Sequence, residues 1–596
     1  MHFKSRINEN RLILIIVLLL FACIYGLCFL FLGNYFIVSD DLTMLAIMNG
    51  SYTGVPDAHL IHIMYPLGYF FKTFYSFFPN FYWYEFFVLG SHFFCISVCI
   101  VHFIRIFSIA ESYQNEESKI NNKRLRIIKS LICLAFLLLM ICADIRFYFE
   151  NQFTLTSCLF IISSLFIAST FDYLPSKSGK IRDVILVIIC FSLSFWIRKE
   201  VCFMAIPLFI FIFLTKVILN GKNNIIYSII IFLSAGLIVL VSYAIHNNAF
   251  NSEEWNYFEE YNKARVEIFD YDLVPQYNSN EEFYGSIGID EYEYNAILKH
   301  NLNLVDELDS EKLSAISNRQ KGILKDWEQY YSVRNKIIKD TLKSLFRNHT
   351  SVLGILTCFV YLLGVVISLF IENKKKKVLL LVSTILTIGY EISFIGLFKY
   401  LGRLPDRLLY SVDLVCIFTV LSGIMICLTD IWIKLKKQRK SFIAVILINV
   451  ILGVILTITF IQLNQLKNSY LPRMDLQNKI WAYIENDREN VYYVDYDICG
   501  RYCVLILGEH HIEPNNCKAM IDWAYKSPLE KRKNDIYNLS GDSTDLIQEN
   551  VYLMLNDYVD IEYIRRILEN NTDKEIDIKL IDSFDGIQVY KCITME

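Results

Sequence analysis

Runs of about 20 apolar residues recur along the whole chain, and no other feature restricts its fold as strongly, because a hydrocarbon core about 30 Å thick takes roughly that much helix to cross. Such runs lie at 12–33, 84–107, 130–149, 152–172, 183–197, 201–218, 224–246, 350–371, 378–397, 408–433 and 441–464. They predict an α-helical polytopic membrane protein with about 11 transmembrane helices. Composition agrees: 54% of the 596 residues are hydrophobic and 20% are charged, against about 25% charged in an ordinary soluble domain. A net charge of −4 excludes a dominant basic surface for nucleic acid. The informative electrostatic signal is therefore the side on which the charges fall.

Basic residues cluster in alternate connections. Lys4, Arg6 and Arg11 precede the first span; Lys119, Lys123, Arg124, Arg126 and Lys129 follow the second; Lys177, Lys180 and Arg182 follow the fourth. Lys216 and Lys222, then Lys374 to Lys377, then Lys434, Lys436, Lys437, Arg439 and Lys440 continue the series. With eleven spans all of them share one side, which the positive-inside rule makes cytoplasmic. The first span is too long, and its downstream flank too acidic and bulky, for a cleaved signal peptide, so it is read as an anchor. The expected division is a transmembrane domain at 1–465, with a first outer loop at 34–83 and a large one at 247–349, and an extracytoplasmic domain at 466–596. The first loop is aromatic, as helices lying in the membrane interface would be. The tail alternates helical LQNKIWAYIE and YIRRILENN with strand-like VYYVD, VYLML and IDIKLID, which predicts a small α/β domain. Cys499, Cys503, Cys517 and Cys592 lie in that tail, where an external setting would permit a disulfide without fixing its pairing.

Nucleotide chemistry has no motif here: there is no GxxxxGK[ST] loop, no GxGxxG after a strand, no HExxH and no CxxC. Asp270-Tyr271-Asp272 and Asp495-Tyr496-Asp497 spell the DxD tripeptide of cytosolic sugar transferases, but on the side where nucleotide sugars are not supplied. Polar residues concentrate instead in the short outer turns. Asp40 and Asp41 follow the first span, where adjacent carboxylates beside lipid are costly unless they bind a cation, serve chemistry or cap a helix. Asp144, Arg146 and Glu150 mark the next outer turn, Arg198, Lys199 and Glu200 the one after it, and Arg403 and Arg407 a fourth. If the helices bundle, these turns converge on one polar site. Carboxylates there could act as bases, and guanidiniums suit phosphate through their planar fork. Snorkelling to the interface is the plain alternative for each Arg and Lys.

The first span followed by SDD, then MNGSYTGVPDAHLIHIMYPLGYFFKTFYSFFPNFYWY, FENQFT and FWIRKEVCFMAIP resemble the bacterial polytopic GT-C glycosyltransferases, and more narrowly a Gram-positive branch of them. YNKARVEIFDY in the large outer loop and RLPDR late in the chain fit the same branch, and the resemblance covers roughly residues 10–465. It implies a bacterial plasma-membrane enzyme with a polyprenyl-phosphate sugar donor and a cell-envelope glycan or lipid acceptor. It also implies a catalytic acid soon after the first helix, at Asp40 or Asp41, and a second acid at Glu150 or Asp144. Arg198, Lys199, Glu200, Asn262, Arg265, Asp270, Tyr271, Arg403 and Arg407 are the expected substrate-binding residues. A divalent ion, Mg or Mn, could be held by Asp41, His59, Asp144 and Glu150, with His62 as a further ligand. Transfer would invert the anomeric carbon, with an Asp as general base. A lipid or solute transporter with an external domain is the main rival, although transporters place charge near the midplane and commonly repeat their halves. An adhesion or scaffold protein would leave the paired acids unexplained.

Overall fold

The computed structural model describes residues 2–595 apart from 113–121, 172–173, 175, 221–224, 325–335, 337–338, 342, 344–350, 402, 438–439, 501, 509–511 and 522. Lys119, Lys222 and Arg439, and the large outer loop beyond Leu324 for most of its length, fall outside the described residues. Among those described, ten helices are long and apolar enough to cross a membrane, and the chain is a multi-pass helical membrane protein with a mixed α/β unit at one end.

The spanning helices are α1 (His2–Phe31), α4 (Trp83–Ser112), α5 (Asn122–Phe149), α6 (Phe153–Thr170), α8 (Lys199–Asn220), α9 (Ile225–Ala249), α14 (Val352–Phe370), α15 (Lys374–Tyr400), α16 (Asp406–Ile426) and α18 (Lys440–Glu485). The remaining expected span, 183–197, belongs to α7 (Lys177–Ile197). Its first two turns carry Lys177, Lys180, Arg182 and Asp183, which leaves its apolar part shorter than the others. The run read as 408–433 is in fact two elements. It breaks after Ile426, and α17 (Leu428–Lys437) is a separate amphipathic helix.

Every residue of α6 is buried, and α7, α16, α4 and α8 surround it. A helix with no lipid-facing side can carry small polar residues if they find partners at once. Ser163 donates to the Leu159 carbonyl at 2.8 Å, Ser164 to that of Val187 at 3.0 Å, and Ser157 to that of Ser194 at 2.9 Å. The last two bonds fix α6 against α7, while that of Ser163 stays within α6.

Two helices lie in the first outer loop: α2 (Ser39–Asn49) and α3 (Tyr65–Phe77). Asp40 and Asp41 occupy the first turn of α2, where the partial positive charge of a helix N-terminus favours carboxylates. Gly50, at φ 91°, ends the helix in the left-handed conformation that costs glycine least. Further on, α3 runs so close to the chain before it that a Cβ at Gly68 would fall 2.2 Å from the Ala58 carbonyl oxygen.

The large outer loop and the tail form one unit. Tyr261, Ile268, Leu302 and Leu313 of the loop share a buried core with Val491, Tyr493, Leu553 and Ile567 of the tail. From the loop come α10 (Glu253–Tyr271), α11 (Glu281–Ser286), α12 (Glu291–Leu298) and α13 (Ser310–Leu324). The tail supplies β3 (Val491–Val494), β5 (Cys517–Ala519), β6 (Val551–Asn556), β7 (Ile576–Phe584) and β8 (Ile587–Thr594) in the order β5-β3-β6-β8-β7. The first three are parallel, and β7 and β8 form a hairpin turned by Asp585 and Gly586, both with positive φ. The tail also holds α19 (Tyr496–Cys499), α20 (Pro528–Tyr537) and α21 (Glu562–Thr572).

Position 465 lies in the middle of α18, which carries the chain from the bundle into this unit without a break. A second, small sheet ties the parts together: β1 (Tyr35–Phe36) pairs in parallel with β2 (Glu150–Asn151) and antiparallel with β4 (Val504–Leu505). At the opposite end of the bundle, Lys129 pairs with Glu111 at 2.6 Å and Lys376 with Asp430 at 2.8 Å. The four tail cysteines are buried, and Cys503, Cys517 and Cys592 are free thiols.

Candidate functional site

Where the bundle meets the outer unit, a cavity of about 270 Å³ is walled by Asp40, Arg265, Asp270, His300, Arg403 and Trp523, with Tyr496 and Glu513 beside them. Its residues come from four distant segments. The first loop contributes the start of α2, the large loop one face of α10, the turn before α16 its Arg403, and the tail an aromatic wall.

Each segment has a local reason for its place. The β1 pairing with β2 and β4 pins the chain four residues before Asp40. Ser252 caps α10 by accepting from the Trp255 N–H, and Trp255, Phe258, Tyr261, Arg265 and Ile268 form its buried face, so Arg265 travels inward with its apolar neighbours. Pro405 precedes the first turn of α16, whose stripe places Arg407 over α2.

Asp40 is 5% exposed and its Oδ2 accepts from Arg407 Nη1 at 2.9 Å. Burial disfavours its charge, yet His62, then Arg407 and Arg198, together outweigh burial and hold its carboxyl below the ordinary range. His62 stacks near Phe153, its ring centroid 5.7 Å away, and burial pushes it down to about 4. Near neutral pH that imidazole is uncharged, so Arg407 and Arg198 are the standing cations beside Asp40.

Asp41 behaves differently. It is fully buried and absent from the cavity wall. Its Oδ1 accepts from Tyr84 at 2.5 Å and from the Phe153 N–H at 3.2 Å, while Oδ2 has no hydrogen-bond partner among the described residues. Burial, reinforced by the charge of Asp40, pushes Asp41 up to about 7. It links α2 to α4 and to the first turn of α6.

The guanidiniums close around Asp40. Arg403 is ion-paired with Asp270. Arg198 pairs with Glu200 at 3.1 Å, lies 5.1 Å from the Phe153 ring centroid, and is within electrostatic reach of Asp40, Arg403 and Arg407. Arg265 donates to Asn262 Oδ1 at 2.5 Å and to the Trp523 carbonyl at 3.4 Å, with its guanidinium 4.9 Å from the Trp523 ring centroid.

Of the substrate-binding residues expected from the sequence, Arg265, Asp270 and Arg403 line the cavity, and Arg198 and Arg407 stand behind Asp40. The others serve elsewhere. Asn262 orients Arg265, Lys199 lies 5.5 Å from the Tyr243 ring centroid on α9, and the Glu200 side chain is 56% exposed. Tyr271 ends α10 and does not line the cavity.

The four residues expected to hold a divalent ion are not brought together. Asp41 is engaged as described. His59 binds Asp57 through Nδ1 at 2.6 Å and stacks on Trp255 at 4.9 Å. Asp144 lies inside α5 rather than in an outer turn, and takes its hydrogen bonds from Tyr25 and His92. Glu150 accepts from Tyr470 and from Arg146 at 3.0 Å, joining α5 to α18. Among the described residues no group of three or more His, Cys, Asp or Glu has the geometry to hold a metal ion. These donors therefore do not fit Mg or Mn.

Sequence reasoning missed the tail's share of the site. Tyr496 lies inside the Asp495-Tyr496-Asp497 tripeptide already noted, but for its aromatic ring rather than its acids. Trp523 and His300 have no local signal, although His300 adopts φ 62°, a backbone conformation rare for a non-glycine residue and frequent at functional sites.

No protein-family model and no curated protein matches the chain. Among solved structures it is similar to the crystal structure of ArnT from Cupriavidus metallidurans bound to undecaprenyl phosphate, with 10% sequence identity and a TM-score of 0.35, over 96% of this chain and 97% of that one.

Proposed function

We propose that the chain is a membrane glycosyltransferase that moves a sugar from a polyprenyl-phosphate carrier to a cell-envelope acceptor on the outer face, with Asp40 as general base. The observation that carries this reading is a cavity-facing carboxylate ringed by Arg198, Arg265, Arg403 and Arg407 at the seam between bundle and outer unit. A glycosyl phosphate needs that combination: a base for the incoming hydroxyl and cations for the departing phosphate.

In the reaction the acceptor oxygen forms its bond to the anomeric carbon as the carbon–oxygen bond to phosphate breaks, and the hydroxyl proton passes to the Asp40 carboxylate. Direct displacement inverts the anomeric centre. The polyprenyl phosphate leaves with its charge met by the guanidiniums. Arg407 has two roles in this scheme. Without donor it neutralises Asp40; with donor phosphate beside it, its charge is shared, and Asp40 regains basicity when the base is needed.

Asp41 is a positioning residue, since it is shut away from the cavity and spends Oδ1 on Tyr84 and α6. The aromatic wall of Trp523 and Tyr496 suits the face of a sugar ring. The orientation that goes with this reading puts the basic connections in the cytoplasm and the cavity outside. Transport is the weaker reading, because these charges gather at one end of the bundle rather than at its midplane.

The test is transfer of labelled sugar from a polyprenyl-phosphate donor in reconstituted vesicles, with wild type beside Asp40→Asn and Asp41→Asn. Wild-type rates in Asp40→Asn would remove the assigned base and with it this mechanism.

A further inference from the structure

At the end of the bundle away from the outer unit, a lateral groove of about 370 Å³ runs between α4, α6 and α7. One wall is a single face of α4, on which Phe94, Ser97, Val98 and Val101 follow one another at helical spacing; Ile167 and Leu186 stand opposite. Phe94 is 39% exposed, so the groove opens toward lipid. Along α4 it extends from Phe93 to Arg105, about 18 Å at 1.5 Å per residue, close to the depth of one leaflet.

The groove ends in charge. Asp183, with its side chain 1% exposed, receives Arg105 at 3.0 Å, Arg182 at 3.3 Å and His102 Nδ1 at 3.1 Å. His102 Nε2 is 2.6 Å from Thr170 Oγ1. Two guanidiniums thus share one carboxylate, leaving an excess positive charge where the groove meets the head-group level. The Arg105 and Arg182 side chains remain 27% and 53% exposed. Arg105 lines the groove itself, and Arg182, half-exposed, flanks it through Asp183.

We propose that this groove holds one phospholipid of the leaflet opposite the outer unit, with an acyl chain along α4 and its phosphate on Arg105 and Arg182. The excess positive charge selects an anionic head group over a zwitterionic one. The site is separate from the cavity around Asp40 and does not depend on the function assigned there.

The experiment is native mass spectrometry of the full chain after equilibration with phosphatidylglycerol or with phosphatidylcholine of the same chains. Wild type is expected to retain one phosphatidylglycerol about fivefold in excess over phosphatidylcholine, the effect of roughly one net basic contact near a phosphate. Arg105→Gln should bring the two lipids to equal retention, and Val98→Trp, which fills the groove, should abolish retention of both. Equal retention by wild type, or full retention by Val98→Trp, overturns the proposal. A second measurement needs no variant: phosphatidylglycerol carrying a photoreactive acyl chain should label residues 93–101 or Leu186 of wild type. Labelling confined to other helices overturns it equally.

Discussion

Asp40 at the outer seam and Asp144 inside the bundle are both buried carboxylates whose partners lie far away in sequence, yet their surroundings differ in kind. Asp144 is fully buried and takes hydrogen bonds from Tyr25 and His92 on the packed helices α1 and α4. Asp40 has an arginine on one side and an open cavity on the other. In the first case the hydrogen bonds use up the carboxylate and the acid serves to hold three helices together. In the second a charge is kept ionised next to room for a ligand, which is the arrangement chemistry requires. A buried acid marks a reactive site only when a void adjoins it.

The strongest way to break this comparison is at Asp40 itself. Asp40→Asn should lower transfer by about 100-fold or more while donor binding persists, since the amide keeps the volume and loses the proton acceptance. Labelled-sugar transfer and donor retention, measured on the same vesicles, check both halves. Next come the guanidiniums. Arg403→Gln or Arg407→Gln should weaken transfer by about 10- to 100-fold, the worth of one charge-assisted hydrogen bond to phosphate, and the loss should appear at low donor concentration first.

Asp144→Leu tests the other region. Removing one member of a buried polar cluster costs about 3 kcal/mol, so the melting temperature in detergent should fall while the specific activity of the folded fraction stays near wild type. If activity disappeared with folding intact, Asp144 would belong to the catalytic machinery.

Asp41 sharpens the contrast further. Because burial pushes its folded-state value up to about 7, the folded protein binds a proton there that the unfolded chain, titrating in the ordinary carboxylate range, has already released. Stability should therefore decline as pH rises from about 4 to about 7 and level off above that. Asp41→Asn, which cannot ionise, should flatten that part of the melting-temperature profile; an unchanged profile would mean that Asp41 is charged in the fold. The smallest effect expected is none: with Cys503, Cys517 and Cys592 present as free thiols, reductant should change neither gel mobility nor transfer rate.

Much of the molecule was legible in the chain, for a definite reason. Lipid demands long apolar helices with their backbone bonds satisfied internally, so each span announces itself locally. The same holds for β3, β6 and β7, whose short apolar runs stand among polar turns. The guanidiniums Arg198, Arg403 and Arg407 were found because they interrupt apolar sequence, where charge is costly. What failed was any inference about which acids meet. Glu150 and Asp144 differ by six positions, and those positions carry one to an ion pair with Arg146 and the other to a closed cluster with His92.

Sequence alone determined the number and order of the helices within one element, the end of the molecule on which polar residues collect, and the α/β character of the tail. Only the tertiary structure decided that the large outer loop and the tail share one core, that the tail walls the cavity with Tyr496 and Trp523, and that Asp40 rather than Asp41 faces it. The physical reason is range. Hydrophobic length and periodicity act over a few neighbouring residues and are written in them, whereas a cavity is the space left between segments hundreds of positions apart, and its lining depends on how all of them pack.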